Sequence, residues 1–163
     1  MKKNRTRFIT EAAVIAAIYT ILVIIFNYIS FGPVQFRVAE VLTILPYFTP
    51  AAIPGVTLGC FLSAILTPGT PALDMIFGTL ATLIAAILSY LLRRYKYLVP
   101  IPPILVNALV IPWVLKFAYG EAQSVPIMML TVGGGEFVIV GIFGIIFLLV
   151  LDQIKRYVFY SYN

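Results

Sequence analysis

The stretch VAEVLTILPYFTPAAIPGVTLGCFLSAILT, residues 38–67, decides the fold of this chain. It is about 30 residues long and apolar almost throughout, yet Pro46, Pro50, Pro54 and Gly55 interrupt it. Read as one helix it makes a single long span, since about 20 apolar residues cross a bilayer. Read as two helices, 38–48 and 53–66, it makes a hairpin. Each proline removes a backbone donor and clashes with the preceding turn, which favours the hairpin. Charge gives the same answer. Nine of the 11 Lys and Arg residues fall in three clusters: Lys2, Lys3, Arg5 and Arg7; Arg93, Arg94 and Lys96; Lys155 and Arg156. Clustered Lys and Arg mark the cytoplasmic side, because positively charged loops resist translocation. Apolar runs at 8–29, 74–92, 101–119 and 126–151 are each long enough to span. With one helix in 38–67 there are five spans, and the middle cluster falls outside. With two there are six, and all three clusters lie inside. The expectation is an all-α integral membrane protein of six transmembrane helices, with N- and C-termini cytoplasmic and a single domain over 1–163.

Composition agrees. The chain is 62% hydrophobic and 10% charged, against about half and a quarter in a soluble domain. Its formal charge of +5 comes from residues that flank apolar spans, which fits anchoring to anionic lipid and not a nucleic-acid partner. The basic N-terminus and the run at 8–29 could resemble a signal peptide, but that run exceeds an h-region of about 7–15 residues. It is read as a retained first helix. The helix at 38–48 is short for a span, so it must be tucked among the others or locally broken, with protein covering its freed backbone groups.

On this topology the outer ends are 29–38, 68–74 and 119–126, and the rare polar residues gather towards them. Glu40 opens the second helix and Asp74 the fourth. Asn107 lies near mid-depth in the fifth, Lys116 near its outer end, and Glu136 about three turns into the sixth. A carboxylate inside a bilayer costs several kcal/mol unless it faces protein or a water-filled cavity, so each is a candidate site residue. Their shared depth points to one cavity open to the outside. Plainer readings exist for three. Arg37 and Glu40, three apart, could pair at a helix start; Asp74 could be an N-cap; Lys116 could snorkel to the interface. Glu136 is different, because it follows Gly133-Gly134-Gly135, where backbone can approach a ligand closely, and has no basic neighbour in sequence. Ala12, Ala13, Ala16 and Ala17 make a strip of small residues on the first helix, which lets helices approach closely. Gly55, Gly59 and Ser63, and Gly78, Ala81 and Ala85, offer similar faces that read as packing inside the bundle.

The segments GPVQFRVAE at 32–40, LPYFTPAAIPG at 45–55, LDMIFGTLAT at 73–82, PPILVNA at 102–108 and GGE at 134–136 resemble the substrate-binding (S) subunits of energy-coupling factor transporters. Within these the likeness is to the QueT-like queuosine-precursor family, and it runs from about residue 8 to 151. One departure is Ala39, where a serine is expected before the glutamate. The resemblance implies a six-helix cell-membrane S subunit that captures a deazaguanine precursor of queuosine from outside. It implies three partners, a transmembrane coupling subunit and two cytoplasmic ATPases that spend the ATP, and no cofactor in the chain itself. The strip Ala12, Ala13, Ala16 and Ala17 resembles the family's contact with the coupling subunit. Glu40 and Glu136 would accept hydrogen bonds from a guanine-like edge or an ammonium. Asp74 and Asn107 would complete the cavity, and Gln35 and Arg37 would lie on the first outer loop that gates it.

The residues themselves fit a chain without an engine of its own, since no G-x-x-x-x-G-K-[ST] phosphate loop is present. An enzyme is disfavoured. No histidine is present for zinc ligation or a Ser-His dyad, and the lone Cys60 excludes a multi-cysteine metal site. Asp74 and Asp152, which an aspartyl protease would need face to face, are expected at opposite membrane faces. The alternative is a self-sufficient secondary transporter or channel for a small polar or cationic solute. The lack of an internal repeat argues against it.

Overall fold

The structure, a computed structural model, describes residues 2–26 and 37–158. Six helices run through them, with no strand among the described residues. Helix α1 is Lys2–Ile25, and the second element, here α2, is Val38–Tyr47. Helix α3 is Ala52–Leu66, α4 is Ala72–Leu91 and α5 is Ile101–Ala118. Helix α6 runs as an α-helix over Val125–Glu136, widens to a π-helix over Phe137–Phe143, and resumes over Gly144–Val158. The hairpin reading of 38–67 therefore holds, with the break at 48–51. Four helices are long and apolar enough to cross a membrane, and α2 and α3 are the two short ones. Large apolar side chains face outward, among them Leu130 at 78% exposure and Phe117 at 72%, a surface that needs lipid to cover it. The chain is an all-α membrane protein.

The short second helix escapes the usual geometry. It is wound as a 3₁₀ helix for all 10 of its residues, although such runs rarely exceed 3–4. At about 2.0 Å rise per residue it reaches roughly 20 Å, where an α-helix of equal length would reach about 15 Å. Its backbone is covered as lipid requires. Ala39, Glu40, Leu42, Thr43, Ile44, Leu45 and Pro46 are all buried, so α2 forms the centre of the bundle. Two apolar clusters meet on it. Leu42 and Leu45 pack with Ile15, Val56 and Leu151, while Ile44 packs with Val140 and Leu148.

Small residues set the spacing of α1 against α3. A Cβ added at Gly55 would lie 2.9 Å from Ile15 Cβ, and one at Gly59 would lie 2.6 Å from Tyr19 Cβ and 2.9 Å from the Ala16 carbonyl. Only hydrogen fits at either position. The glycine face of α3 is thus packing, as the sequence indicates. Ala81 and Ala85 of α4 are likewise buried.

The charged clusters share one end. Lys96, in the α4–α5 loop, bonds Asp152 of α6 at 2.6 Å, and Lys155 bonds the same carboxylate at 3.0 Å. Arg7 of α1 lines a cavity with Phe147 and Leu151 of α6, which brings the N-terminal cluster to that end too. At the opposite end Gly69 and Gly120 take positive φ of 83° and 68° in the α3–α4 and α5–α6 turns. An even number of crossings is what this arrangement requires.

Candidate functional site

Three of the residues singled out in the sequence meet at the centre of the bundle. Glu40 comes from α2, Asn107 from the middle of α5, and Glu136 from the last α-helical position of α6 before the π segment. They are 0%, 0% and 3% exposed. Asn107 Nδ2 donates to Glu136 Oε1 at 3.0 Å, and the same amide stands beside the Glu40 carboxylate. Asn107 therefore holds one buried acid and stands next to a second that is 96 residues away in the chain. Glu40 Oε2, Glu136 Oε2 and Asn107 Oδ1 are buried with no hydrogen-bond partner. Among the described residues only Thr67 Oγ1 shares that condition. An orphaned buried acceptor costs about 1–3 kcal/mol, and more when charged. Three at one point is an arrangement that a ligand rich in N–H donors would satisfy.

Local structure places these groups. The Gly133-Gly134-Gly135 run is helical, and a Cβ at Gly133 would lie 3.3 Å from Ala108 Cβ. The glycines thus draw α6 onto α5 one residue from Asn107. The π-helix starts right after Glu136. Such widenings are rare and often stand at functional sites, because they re-aim one side chain relative to the next turn.

Glu40 has partners that the sequence reading missed. Tyr19 of α1 donates its hydroxyl to Glu40 Oε1 at 2.7 Å, and Thr82 of α4 approaches the same oxygen at 3.5 Å. Thr82 also reaches Cys60 Sγ of α3 at 3.4 Å. Arg37 does not pair with Glu40. It precedes the helix with φ −79° and ψ 82°, and the three-residue spacing joins the two only through the backbone, where the Glu40 N–H donates to the Arg37 carbonyl at 2.9 Å.

Arg37 instead forms a second cluster with Asp74, nearer the end opposite the basic clusters. Its Nη2 lies 3.2 Å from Asp74 Oδ1, and Tyr119 donates its hydroxyl to Asp74 Oδ2 at 2.7 Å. Asp74 sits in the first turn of α4, but the N-cap position is Pro71 and no side chain caps the helix. Both carboxylate oxygens are engaged, so Asp74 ties α2, α4 and α5 together and is not a cap. Gly78 leaves the space, since a Cβ there would stand 3.0 Å from Asp74 Oδ1. A cavity of about 30 Å³ separates this cluster from Tyr19 and Cys60, room on the scale of one water. A larger cavity of about 410 Å³ opens elsewhere, between α1, α2 and α6 at the basic end, and contains none of these acids.

Lys116 is exposed and donates to the Glu121 carbonyl at 3.2 Å, as a snorkelling residue would. Gln35 lies outside the described residues. The alanine strip of α1 is divided. Ala12 and Ala16 are buried at 6% and 5% against α3, while Ala13 and Ala17 are exposed.

Comparison with known proteins gives the family. A queuosine precursor transporter QueT of Lactococcus lactis subsp. cremoris (strain MG1363) is 40% identical over 99 residues, which is 59% of this chain and 57% of that protein. The aligned part thus spans a little over half the length of that relative. No solved structure matches. The family model described as QueT transporter matches residues 9–153, nearly the whole chain and all six helices, and the chain belongs to the QueT transporter family.

Proposed function

We propose that this chain is the membrane-embedded substrate-binding subunit of an energy-coupling factor importer, and that it takes a deazaguanine precursor of queuosine from outside. The single observation that carries the reading is the pair of buried acids Glu40 and Glu136, the second held by Asn107, and each with an unpartnered oxygen. A guanine-like edge offers adjacent N–H donors that one carboxylate accepts together. An aminomethyl group adds a cation, which the second carboxylate would meet. Arg37, the nearest base, is committed to Asp74. Two buried acids without a base are costly, and a cationic ligand would offset that cost. Asn107 has an acceptor left for one further donor.

Asp74, with Arg37 and Tyr119, serves as the outer latch of this path. Opening the latch admits the ligand to the acids below. The chain has no phosphate loop with which to spend ATP itself. In this reading a transmembrane coupling subunit and two cytoplasmic ATPases supply the work, and the exposure of Ala13 and Ala17 supports a role for that part of the alanine strip in meeting the coupling subunit.

The test is binding and uptake with the purified chain. Calorimetry in detergent should show tight binding of a deazaguanine precursor, weaker binding of guanine and none of an unrelated vitamin. Vesicles with this chain alone should not accumulate the precursor, and adding the coupling module with ATP should start uptake. Accumulation by the chain alone would make it a self-sufficient transporter.

A further inference from the structure

We propose that Tyr19 is a positioning residue of the substrate site, one that selects which Glu40 oxygen meets the ligand and ties the α1–α3 crossing to occupancy. The inference rests on the reading that Glu40 receives substrate. The two oxygens of Glu40 have different surroundings. Oε1 accepts the Tyr19 hydroxyl at 2.7 Å and faces Thr82 at 3.5 Å, whereas Oε2 has no partner. A hydroxyl donating to a carboxylate makes a short, strong bond. It therefore fixes the rotation of the carboxyl group and leaves Oε2 as the free acceptor. Without the Tyr19 hydroxyl, both oxygens compete for ligand donors and the group can turn.

The ring itself is held. Tyr19 is 1% exposed, and it stands at the point where α1 and α3 come closest, over Gly59. Thr20, the next residue, donates to the Gly59 carbonyl at 3.2 Å across the same crossing. Ligand donors drawing on Glu40 Oε2 must shift the carboxyl group by some fraction of an ångström. Tyr19 follows, and with it the α1–α3 contact. The outward side of α1 carries Ala13 and Ala17, so occupancy is reported on the helix proposed to meet the coupling subunit.

The experiment is calorimetric titration with 7-aminomethyl-7-deazaguanine of the full chain and of Tyr19→Phe, Glu40→Gln and the double variant. Tyr19→Phe keeps the ring and should weaken binding about three- to tenfold, the effect of one hydrogen bond. If Tyr19 acts through Glu40, the double variant should bind no more weakly than Glu40→Gln alone. Ligand should slow amide exchange at the α1–α3 crossing in the native chain and not in Tyr19→Phe. Wild-type affinity in Tyr19→Phe, or full addition of the two single losses, overturns the proposal. Wild-type affinity in Glu40→Gln instead overturns the site reading beneath it. Should Tyr19→Phe lower stability, titration well below its unfolding temperature keeps the comparison, with the same non-addition against Glu40→Gln expected and full addition overturning the proposal.

Discussion

Asn107 and Glu136 share one hydrogen bond of 3.0 Å, and that bond joins α5 to α6 at a point where both side chains are out of reach of solvent. Each partner keeps one unsatisfied oxygen. A bond serving packing alone would leave neither. Replacing Asn107 by Asp should therefore be more harmful to binding than to assembly of the bundle. It puts a third acid at the centre and removes the only Asn107 donor group. Binding of a deazaguanine should fall at least tenfold while the variant still purifies as a monodisperse chain; a variant that loses folding and binding together would assign Asn107 to packing.

The Arg37–Asp74 pair offers a test of whether Asp74 acts as a latch or touches ligand. Asp74→Asn should lower the energy of the outer closure, because it removes the charge that Arg37 meets at 3.2 Å while keeping an acceptor for Tyr119. Association of ligand should become faster and affinity should change less than tenfold. A loss near a hundredfold would return Asp74 to the set of residues that touch substrate.

Packing of α1 on α3 offers a stability test with an internal control. Gly59→Ala places a Cβ 2.6 Å from Tyr19 Cβ, whereas Gly134→Ala meets nothing within 4 Å. Overpacking of this kind costs about 1–3 kcal/mol. Thermal unfolding in detergent should drop clearly for the first and stay close to wild type for the second. Equal behaviour of the two would mean that the close approach has no energetic weight.

The divided alanine strip predicts two different failures. Ala13→Leu with Ala17→Leu should block assembly with the coupling subunit and uptake, leaving ligand binding by the isolated chain unchanged. Ala12→Leu with Ala16→Leu should damage the α1–α3 contact and hence binding, since both residues are buried there. The measurements are co-purification with the coupling module and titration of each variant.

Helix number and the central acids were legible from sequence for physical reasons. Spans of about 20 apolar residues leave little choice, and ionised groups are rare enough in lipid that Glu40 and Glu136 stand out by type alone. The 3₁₀ winding of α2 was not legible, because Glu40 and Thr43 are the only polar side chains before Tyr47 and a spacing of three fits a 3₁₀ helix and an α-helix alike. Tyr19 and Tyr119 were missed because a tyrosine in an apolar run reads as core, and its hydroxyl partner lies 21 or 45 positions away. Spacing misled at Arg37, where three residues suggested a side-chain pair with Glu40 but the two meet only through the backbone. The alanine strip read as one face, yet neighbours in an α-helix are turned by about 100°, so Ala12 and Ala16 face α3 while Ala13 and Ala17 do not.

Calorimetric titration of Glu136→Gln and Glu40→Gln with 7-aminomethyl-7-deazaguanine asks whether the two buried acids hold the ligand. Glutamine keeps the shape of each side chain but replaces one acceptor with a donor, which would face the ligand's own donors. A charge-assisted hydrogen bond is worth about 1.5–3 kcal/mol, so each variant should bind roughly ten- to a hundredfold more weakly than the native chain. Unchanged affinity in both variants would mean that the two buried acids have no part in holding the ligand.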